Sequence, residues 1–320
     1  MFDFMTGRGG HGRGPGRGDR HWGPPGPGPW MFKMRHGGGG RRRRGDVRAA
    51  ILALLVPVQA RRWARETDAA TAALIAAVPP SLPPVSFAAL DPLPVPVQRY
   101  LRLALTDGQP RLAHTTLQQE GRLRTGVESE QWLAFTASET IAPAARGFVW
   151  NARMRVAPLV HASIRDAYVG GVGDGRIALQ SAITIAADHG GHDLNAGDLY
   201  RLLAEAPWSP TLLLPSESLT WTAIDDHRAA ATLVHGGETV TIEFRFNEAG
   251  EVGSVYAAER PRSYGTTYVA TPWEGRFSRY VTVDGMRVPS YGEVGWWVEG
   301  RWLPVWQGTV QRFEFTHAGR

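Results

Sequence analysis

Two histidines and two aspartates lie close together in the segment Asp188, His189, His192 and Asp193. Imidazole and carboxylate groups are ligands that divalent metal ions use. A pair of glycines separates the two histidines and makes the segment flexible, and a structural zinc site needs about four protein ligands. We therefore predict a solvated loop here and no metal ion.

A glycine-rich segment at 170–175 has the sequence GGVGDG and invites comparison with nucleotide-binding loops. It lacks the GxGxxG spacing, and the residues on both sides alternate as strands do, so no helix N-terminus follows it to bind a phosphate. The segment is predicted to be the loop of a β-hairpin.

Asp166 is the charged residue most in need of a partner. It lies between Ile164 and Tyr168 on one face of a predicted strand. A carboxylate among large apolar side chains is costly to bury unless it is paired or hydrogen-bonded. Arg201 and Arg260 are the candidate partners, and a structural ion pair is the interpretation that we favour.

Glu205 joins Asp166 in the alternative that makes the protein an enzyme. Two carboxyl groups can divide acid and base roles, but their separation decides the reaction and is not readable from a sequence. The hydrolase signatures GxSxG and HExxH are absent. Cysteine is absent and Lys33 is the only lysine, which excludes thiolate nucleophiles, Cys-ligated zinc and a Schiff-base lysine in the folded part. No catalytic residue and no cofactor are predicted.

Nine of the 12 tryptophans follow residue 131, which is more than the core of a single sheet commonly requires. Aromatic residues on strands are usually core residues, but a concave apolar pocket also uses them. A ligand-binding pocket is therefore predicted from aromatic and charged residues, namely Trp150, Asp166, Tyr168, Glu205, Trp208, Trp221, Arg260 and Trp273.

The elements that position these residues are mostly strands. Residues 148–156 and 240–246 alternate between apolar and polar side chains, with the period of two that is typical of half-buried strands. Turn residues at 247–250 and 284–285 indicate hairpins. Short connections favour an antiparallel meander over alternating βαβ units. Further strands are predicted near 114–124, 130–141, 161–169, 176–187, 219–226, 229–236, 252–259, 276–283, 291–298 and 305–316.

One segment breaks the strand pattern. Leu199, Leu202 and Leu203 recur with the spacing of one helix face, and Asn195 and Asp198 are the candidate caps of that helix. A short helix is marginal in water, so its apolar stripe must lie against a larger surface. The predicted fold class is mainly β with a few helices: an antiparallel meander curved into a half-barrel around one inserted helix.

The chain before the sheet has a different composition. Residues 1–45 hold 15 glycines, five prolines, ten basic and two acidic residues, so the remaining 275 residues carry 25 basic and 28 acidic side chains. This tail is predicted to be disordered and solvated, with no specific nucleic-acid partner, and weak non-specific nucleic-acid contact by residues 8–44 is the alternative. The rest is predicted to divide into a helical segment at 46–78, a Pro-rich linker at 79–94 and a β-rich domain at 95–320.

No stretch of the sequence reaches the ~18 apolar residues that a transmembrane helix needs. The nearest is the ten-residue run at 49–58, which follows four arginines but is interrupted by Pro57. We predict a cytoplasmic location, with membrane-peripheral or exported placement as the alternatives.

The β-rich part contains a set of short motifs, namely FVWNAR at 148–153, RDAYV at 165–169, LYRLLAEAPW at 199–208, PTLLLP at 210–215 and TPWEG at 271–275. In these motifs the chain resembles an uncharacterised bacterial family that is known only as a domain of unknown function. The resemblance covers residues 93–320 and implies no catalytic residues. The sheet-plus-helix pattern is also similar to the half-barrels that carry lipids or lipoproteins in bacterial envelopes.

Residues 1–55 resemble the leader and first helix of PadR-type transcription repressors, most closely in RRRRGDVRAAILALL at 41–55. A repressor of this kind continues into a recognition helix. Here Val56, Pro57 and Val58 are predicted to break the helix instead, and a second helix is predicted at 58–78.

Three hypotheses for the function follow. The first is a non-enzymatic binding module that holds an apolar small molecule, a lipid or an acyl chain, on the concave face of the sheet. The second is an enzyme with a carboxylate site at Asp166 and Glu205. The third, a DNA-binding regulator, depends on the N-terminal segment alone.

Overall fold

The computed structural model describes residues 41–264 and 267–319, with side chains from residue 56 onward. The predicted disorder of residues 1–40 and the nucleic-acid contact predicted for 8–40 lie outside this part of the chain. Residues 41–45, which were assigned to the same tail, form the beginning of a helix.

Helix α1 (Arg41–Ala76) is continuous, so the predicted break at Pro57 is wrong. Good helix formers flank the proline, alanine and leucine before it and alanine and arginine after it, and the helix continues through it although an interior proline costs roughly 3 kcal/mol. Within the described residues the next α-helix is α2 (Val95–Ala104), which follows the Pro-rich segment. No recognition helix therefore directly follows α1 in the part of the chain that is described.

Thirteen antiparallel strands form one sheet, in the spatial order β6-β5-β4-β3-β2-β1-β13-β12-β11-β10-β9-β8-β7. The sheet is mainly an antiparallel meander bent into a half-barrel, which confirms the predicted fold class. The strands are β1 (Leu112–Leu123), β2 (Leu133–Ala142), β3 (Gly147–Ala157), β4 (Val160–Val169), β5 (Val172–Leu179), β6 (Ile183–His189), β7 (Leu219–Asp225), β8 (Arg228–His235), β9 (Glu238–Phe246), β10 (Val252–Tyr264), β11 (Thr267–Val283), β12 (Met286–Val298) and β13 (Arg301–His317).

The strand order shows two meanders that meet in the middle of the sheet. The chain runs outward from β1 to the edge strand β6, crosses to the opposite edge at β7, and returns strand by strand until β13 pairs with β1. The crossing consists of α3 (His192–Ala204) and two 3₁₀ turns, Ala206–Trp208 and Pro210–Leu213. The inserted helix is thus the connection between the two halves of the sheet.

The two faces of the sheet carry different helices. Phe148 and Trp150 point to the face that carries α3, here called the inner face. Val149 points to the opposite, outer face and packs there with Leu74 of α1. A hydrogen bond from Trp63 Nε1 to the Oδ1 of Asn151 (3.0 Å) also attaches α1 to the outer face.

The curvature brings hairpins from the two meanders into contact. A Cβ atom on Gly171, in the β4–β5 turn, would lie 2.7 Å from the Cα of Gly236 in the β8–β9 turn. Both residues have positive φ angles. Glycine is therefore required here for the turn conformation and for the close approach. Gly170 and Gly171 form the turn predicted for GGVGDG, whereas Gly173 and Gly175 belong to β5.

The strand predicted at 176–187 is wrong in one respect, because the structure divides it between β5 and β6. Gln180 and Ser181 have positive φ angles, 52° and 57°, and they turn the chain between the two strands. Glutamine and serine are not among the residue types that favour a positive φ angle, which explains the error.

The Pro-rich segment is not a bare linker. Val85 and Leu90 are buried in the main core, and the backbone of Val85 exchanges hydrogen bonds with Gly108 and Gln109. α2 packs beside it, with Tyr100 against Phe246. No helix among the described residues has the length and apolar character needed to cross a membrane.

Candidate functional site

α3 is fixed on the inner face by its apolar stripe. Leu199, Leu202 and Leu203 are completely buried, as their helical spacing predicts. They join the same core cluster as Phe148 and Phe244, which come from the two halves of the sheet. The helix therefore packs against both meanders at once, and its polar residues are held at defined positions between them.

The predicted caps of this helix have other roles. The helix begins earlier than predicted, at His192, and its N-cap residue is Gly191, which has no side chain to cap it. Asn195 accepts a hydrogen bond from the backbone N–H of Gly173 (2.9 Å), and Asp198 is buried at 2 % exposure. A Cβ atom on Gly173 would lie 2.9 Å from the Cγ of Leu194. The glycine thus allows the helix to approach β5 closely.

Arg201 of α3 lies at the centre of a buried charge cluster. Its Nη1 donates to the Oδ2 of Asp166 (2.6 Å), and its Nη2 donates to the Oε1 of Glu139 (3.0 Å). Its Nε donates to the Oε1 of Glu205, one turn further along the helix (2.8 Å). The ion pair predicted between Asp166 and Arg201 is therefore present. The structure adds two more carboxylates to the same guanidinium group.

The sheet register places Glu139 and Asp166, the two acidic residues of the cluster that lie on strands, in one row. Glu139 on β2 is opposite Trp150 on β3, and Trp150 is opposite Asp166 on β4. Gln119 bridges the row, because it donates to Glu139 (2.9 Å) and accepts a hydrogen bond from Trp150 Nε1 (2.8 Å). The Arg201 guanidinium lies 5.2 Å from the centre of the Trp150 ring. Glu139 and Asp166 are thus held by strands, whereas Arg201 and Glu205 are supplied by the helix and its C-cap.

Burial and mutual repulsion shift the ionisation of two acids in this region. Burial, followed by repulsion from Glu205, raises the pKa of Glu139 well above its ordinary value. Burial, followed by repulsion from Asp166, raises the pKa of Asp198 in the same direction. Burial acts to lower the pKa of Arg201, but the attraction of its three carboxylate partners outweighs it and raises the pKa above the ordinary value. The guanidinium is therefore permanently charged.

A cleft lies between the end of α3 and the strands β10 to β13. Its free volume is about 40 Å³. One end is lined by charged groups of the cluster and the walls are lined mainly by aromatic and aliphatic side chains. The lining residues are Asp166, Arg201, Ala204, Glu205, Trp208, Val255, Arg260, Trp273, Gly275, Phe277, Gly292, Glu293, Val294, Trp296, Val305 and Trp306.

Trp208 closes one side of this cleft. Its Nε1 donates to the backbone carbonyl of Pro289 (3.0 Å), and its ring lies edge-on to Phe277 and Trp306. A Cβ atom on Gly292 would lie 3.0 Å from the Trp208 ring. The absence of a side chain at position 292 lets this indole approach β12 closely.

Arg260 occupies the opposite wall. Its guanidinium carbon lies 4.8 Å from the ring centre of Trp273 and 5.2 Å from that of Trp296. Its Nε and Nη2 both donate to the backbone carbonyl of Gly197 on α3 (3.3 and 3.1 Å). This arginine therefore joins the helix to the second meander, as Arg201 joins it to the first.

Five of the eight residues predicted to bind a ligand line this cleft, and the other three lie elsewhere. Trp150 is buried beneath Arg201. Tyr168 donates to the carbonyl of His235 (3.3 Å), and burial together with nearby acids raises its pKa to about 12. Trp221 donates to the carbonyl of Leu213 (3.1 Å). The five in the cleft are Asp166, Glu205, Trp208, Arg260 and Trp273.

The prediction missed important members of the site. Glu139 lies between Ala137 and Ile141 on one face of β2, so the alternation carries the same signal of a buried carboxylate as it does for Asp166, and the prediction overlooked it. Arg201 was considered only as a partner for Asp166, although its position one turn before Glu205 indicates a helical ion pair. Trp296 and Trp306 belonged to the recognised surplus of tryptophans, but their convergence depends on strand pairing that a single sequence does not specify.

The two histidines of the segment 188–193 each contact one acidic residue. His189 is in contact with Asp174 (3.1 Å), and His192, the first residue of α3, is in contact with Glu238 (2.7 Å). Among residues 41–264 and 267–319 no group of three or more potential ligands has a geometry that would hold a metal ion. The predicted loop is shorter than expected, because His189 ends β6 and His192 begins the helix.

The sheet and its crossing helix define the class of the protein, an antiparallel β half-barrel with one helix on its inner face. Residues 91–315 match the family of unknown function DUF6920, and the chain belongs to that family. The family resemblance predicted from the motifs is thereby confirmed. No protein of curated function matches the chain.

Two solved structures are similar to the chain. A LolA superfamily protein from Nitrosomonas europaea has 8% sequence identity and a TM-score of 0.38, with 69% of this chain and 92% of that chain covered. A domain from Vibrio parahaemolyticus, assigned to outer membrane lipoprotein sorting, has 7% identity and a TM-score of 0.36, with 64% and 86% covered.

Proposed function

We propose that the protein is a non-enzymatic binding module that holds an apolar ligand, a lipid or an acyl chain, in the cleft of the inner face. The observation that carries this proposal is the composition of the cleft walls. Four tryptophans (Trp208, Trp273, Trp296 and Trp306) converge there from the crossing segment and three different strands. We keep the predicted cytoplasmic placement, with membrane-peripheral or exported placement as alternatives, as part of this proposal.

Aromatic walls suit an apolar ligand for a simple energetic reason. Each square ångström of apolar surface removed from water contributes roughly 25 cal/mol, and indole rings offer the largest such surfaces among side chains. Val255, Val294 and Val305 complete the walls. The charged groups lie at one end, which gives the cleft the amphipathic character that a molecule with a chain and a polar group requires.

Binding a chain requires the cleft to widen. Its free volume of about 40 Å³ is far below the roughly 300–1,000 Å³ of ordinary ligand pockets. In this proposal the wall that moves is the pair of 3₁₀ turns after α3, whose residues are buried and are held mainly by apolar packing. Few polar contacts hold the first turn, chiefly the bond from Trp208 to Pro289 and one between Ser209 and Thr115 (2.8 Å).

Isothermal titration with 1-dodecanol tests the proposal, because this probe is an apolar chain without charge. The wild-type protein is expected to bind it, with a change in tryptophan fluorescence as Trp208 moves. Val294→Phe fills the cleft and should abolish binding. The matched control is Val269→Phe, at a position that is 50% exposed on β11. Absence of dodecanol binding by the wild type, or equal binding by both variants, would contradict the proposal.

A further inference from the structure

The acidic end of the cleft indicates the chemistry of the ligand's polar group. We infer that the cleft takes an amphiphile whose head group is a protonated amine, bound by Asp166 and Glu205. This inference rests on the proposed function, because the apolar chain of the same molecule occupies the tryptophan-lined part of the cleft.

Unused hydrogen-bond acceptors are the first observation. Asp166 is only 2 % exposed, lines the cleft, and bonds Arg201 through Oδ2, whereas its Oδ1 has no hydrogen-bond partner in the described structure. Glu205 bonds Arg201 through Oε1, and its buried Oε2 has no donor other than a proton that Glu139 shares with Glu205. A buried acceptor without a donor costs free energy. An ammonium group has three donors and no acceptor, which is what these two oxygens require.

The balance of charge is the second observation. Each of the three guanidinium nitrogens of Arg201 already donates to a different carboxylate. The raised pKa of Glu139 favours a protonated carboxyl there. Even then, Asp166 and Glu205 place two negative charges beside the single positive charge of Arg201. A cationic head group reduces this excess, whereas an anionic one increases it.

Arg260 is the other cation of the cleft, and its contacts direct it towards α3 and two tryptophan rings rather than towards an anionic head group. Its guanidinium lies over the rings of Trp273 and Trp296, and two of its nitrogens donate to the Gly197 carbonyl. Glu293 adds a further carboxylate to the cleft lining. The lining therefore contains three acidic and two basic residues, and an anionic head group attracted by Arg260 is the outcome that would compete with the inference.

The free space of the cleft is about 40 Å³, and a single water-sized group needs roughly 10–15 Å³ of such space. Asp166 Oδ1 and Glu205 Oε2 are buried away from that space, so a head group reaches them only when the cleft widens. A head group without a chain requires a smaller opening than the whole amphiphile does. Binding of the head group alone is therefore measurable separately from binding of the chain.

The test compares three probes with the same chain, dodecylamine, 1-dodecanol and dodecanoate, by isothermal titration at pH 7 below their aggregation concentrations. A charge-assisted hydrogen bond to a buried carboxylate predicts that dodecylammonium binds about tenfold or more tightly than dodecanol. Dodecanoate is expected to bind most weakly. Dodecanol binding as tightly as dodecylammonium, or dodecanoate binding tightest, would overturn the inference.

Variants connect the preference to the two carboxylates. Glu205→Gln and Asp166→Asn should each reduce the advantage of dodecylammonium to about threefold or less while dodecanol binding is retained. Glu205→Gln is the safer variant for folding, because that side chain is 15% exposed. The control is Glu259→Gln, an exposed carboxylate next to Arg260 in the chain. An unchanged preference in both cleft variants would contradict the inference.

Methylammonium, which has no chain, separates failure of this inference from failure of the proposed function. Millimolar binding of methylammonium that Asp166→Asn abolishes supports the head-group site even if dodecanol does not bind. If dodecanol binds and dodecylammonium binds no more tightly, the proposed apolar cleft is supported and the inference of an amine head group is wrong. If neither ammonium probe shows binding that depends on Asp166, the inference is wrong.

Discussion

The Nη1 atom of Arg201 and the Oδ2 atom of Asp166 form a 2.6 Å ion pair inside the core, although 35 residues separate them in the chain. Arg201 belongs to the crossing helix and Asp166 to β4 of the first meander. Arg260 of the second meander reaches the same helix through the carbonyl of Gly197. The crossing helix is therefore tied to both halves of the sheet by polar contacts at the same place where the cleft opens.

Replacing Arg201 by methionine should strongly destabilise the fold. The change leaves Glu139 and Asp166 buried without their cation, and removal of one partner from a buried ion pair costs about 3–5 kcal/mol. Urea unfolding measures the loss. Arg312→Met is the control, because the ion pair of Arg312 with Glu314 is exposed and such pairs contribute about 1 kcal/mol or less. Similar losses in the two variants would show that the buried cluster contributes no more than a surface pair.

Leu202→Ala tests whether α3 is a core element. Leu202 is completely buried, and removing a buried leucine side chain of this kind costs about 2–5 kcal/mol. Leu103 of α2 is 41% exposed, so Leu103→Ala should change the free energy of unfolding by about half a kcal/mol or less. A loss below that value for Leu202→Ala would place the crossing helix on the surface.

The stability of the protein should depend on pH through Glu139. Burial and the charge of Glu205 raise its pKa above the ordinary 4.5, so the folded state retains a proton that the unfolded state releases. This contribution to stability is complete below about pH 4.5 and is lost as the pH rises through the folded pKa.

Glu139→Gln should remove that dependence while keeping, through its one amide oxygen, one of the two hydrogen bonds that Glu139 accepts from Arg201 and Gln119. Between about pH 5 and pH 8 the free energy of unfolding should fall by up to ~1.4 kcal/mol per pH unit more in the wild type than in the variant. Urea midpoints measured across this range provide the comparison, with the exposed substitution Glu259→Gln as the control. Parallel curves for the wild type and Glu139→Gln would contradict the raised pKa.

The sequence specified the strands better than their assembly. The alternation at 148–156 and 240–246 and the turn residues at 284–285 correspond to β3, β9 and the β11–β12 turn. Local patterns decide these features, because each depends on neighbouring residues alone. Pro57 shows the limit of the same reasoning, since the helix propensity of the flanking residues outweighed the local rule.

The site was predictable only in part for a different reason. The position of Asp166 between Ile164 and Tyr168 indicated a buried carboxylate that requires a partner, and Arg201 was among the candidates. Glu139 gave the same signal, since Ala137 and Ile141 flank it on one strand face, but no feature of the local sequence links it to Arg201. Convergence of groups from several strands depends on register, which one sequence alone does not determine.

Native mass spectrometry of the full-length protein as purified tests the central claim most directly. The account predicts that wild-type protein and Val269→Phe carry an additional lipid-sized mass, and that Val294→Phe, with a filled cleft, carries much less of it. Spectra recorded after incubation with 1-dodecanol test whether a cleft that is empty as purified can bind an apolar chain. A ligand-free mass for the wild type both as purified and after incubation would contradict the proposal that this half-barrel binds an apolar ligand.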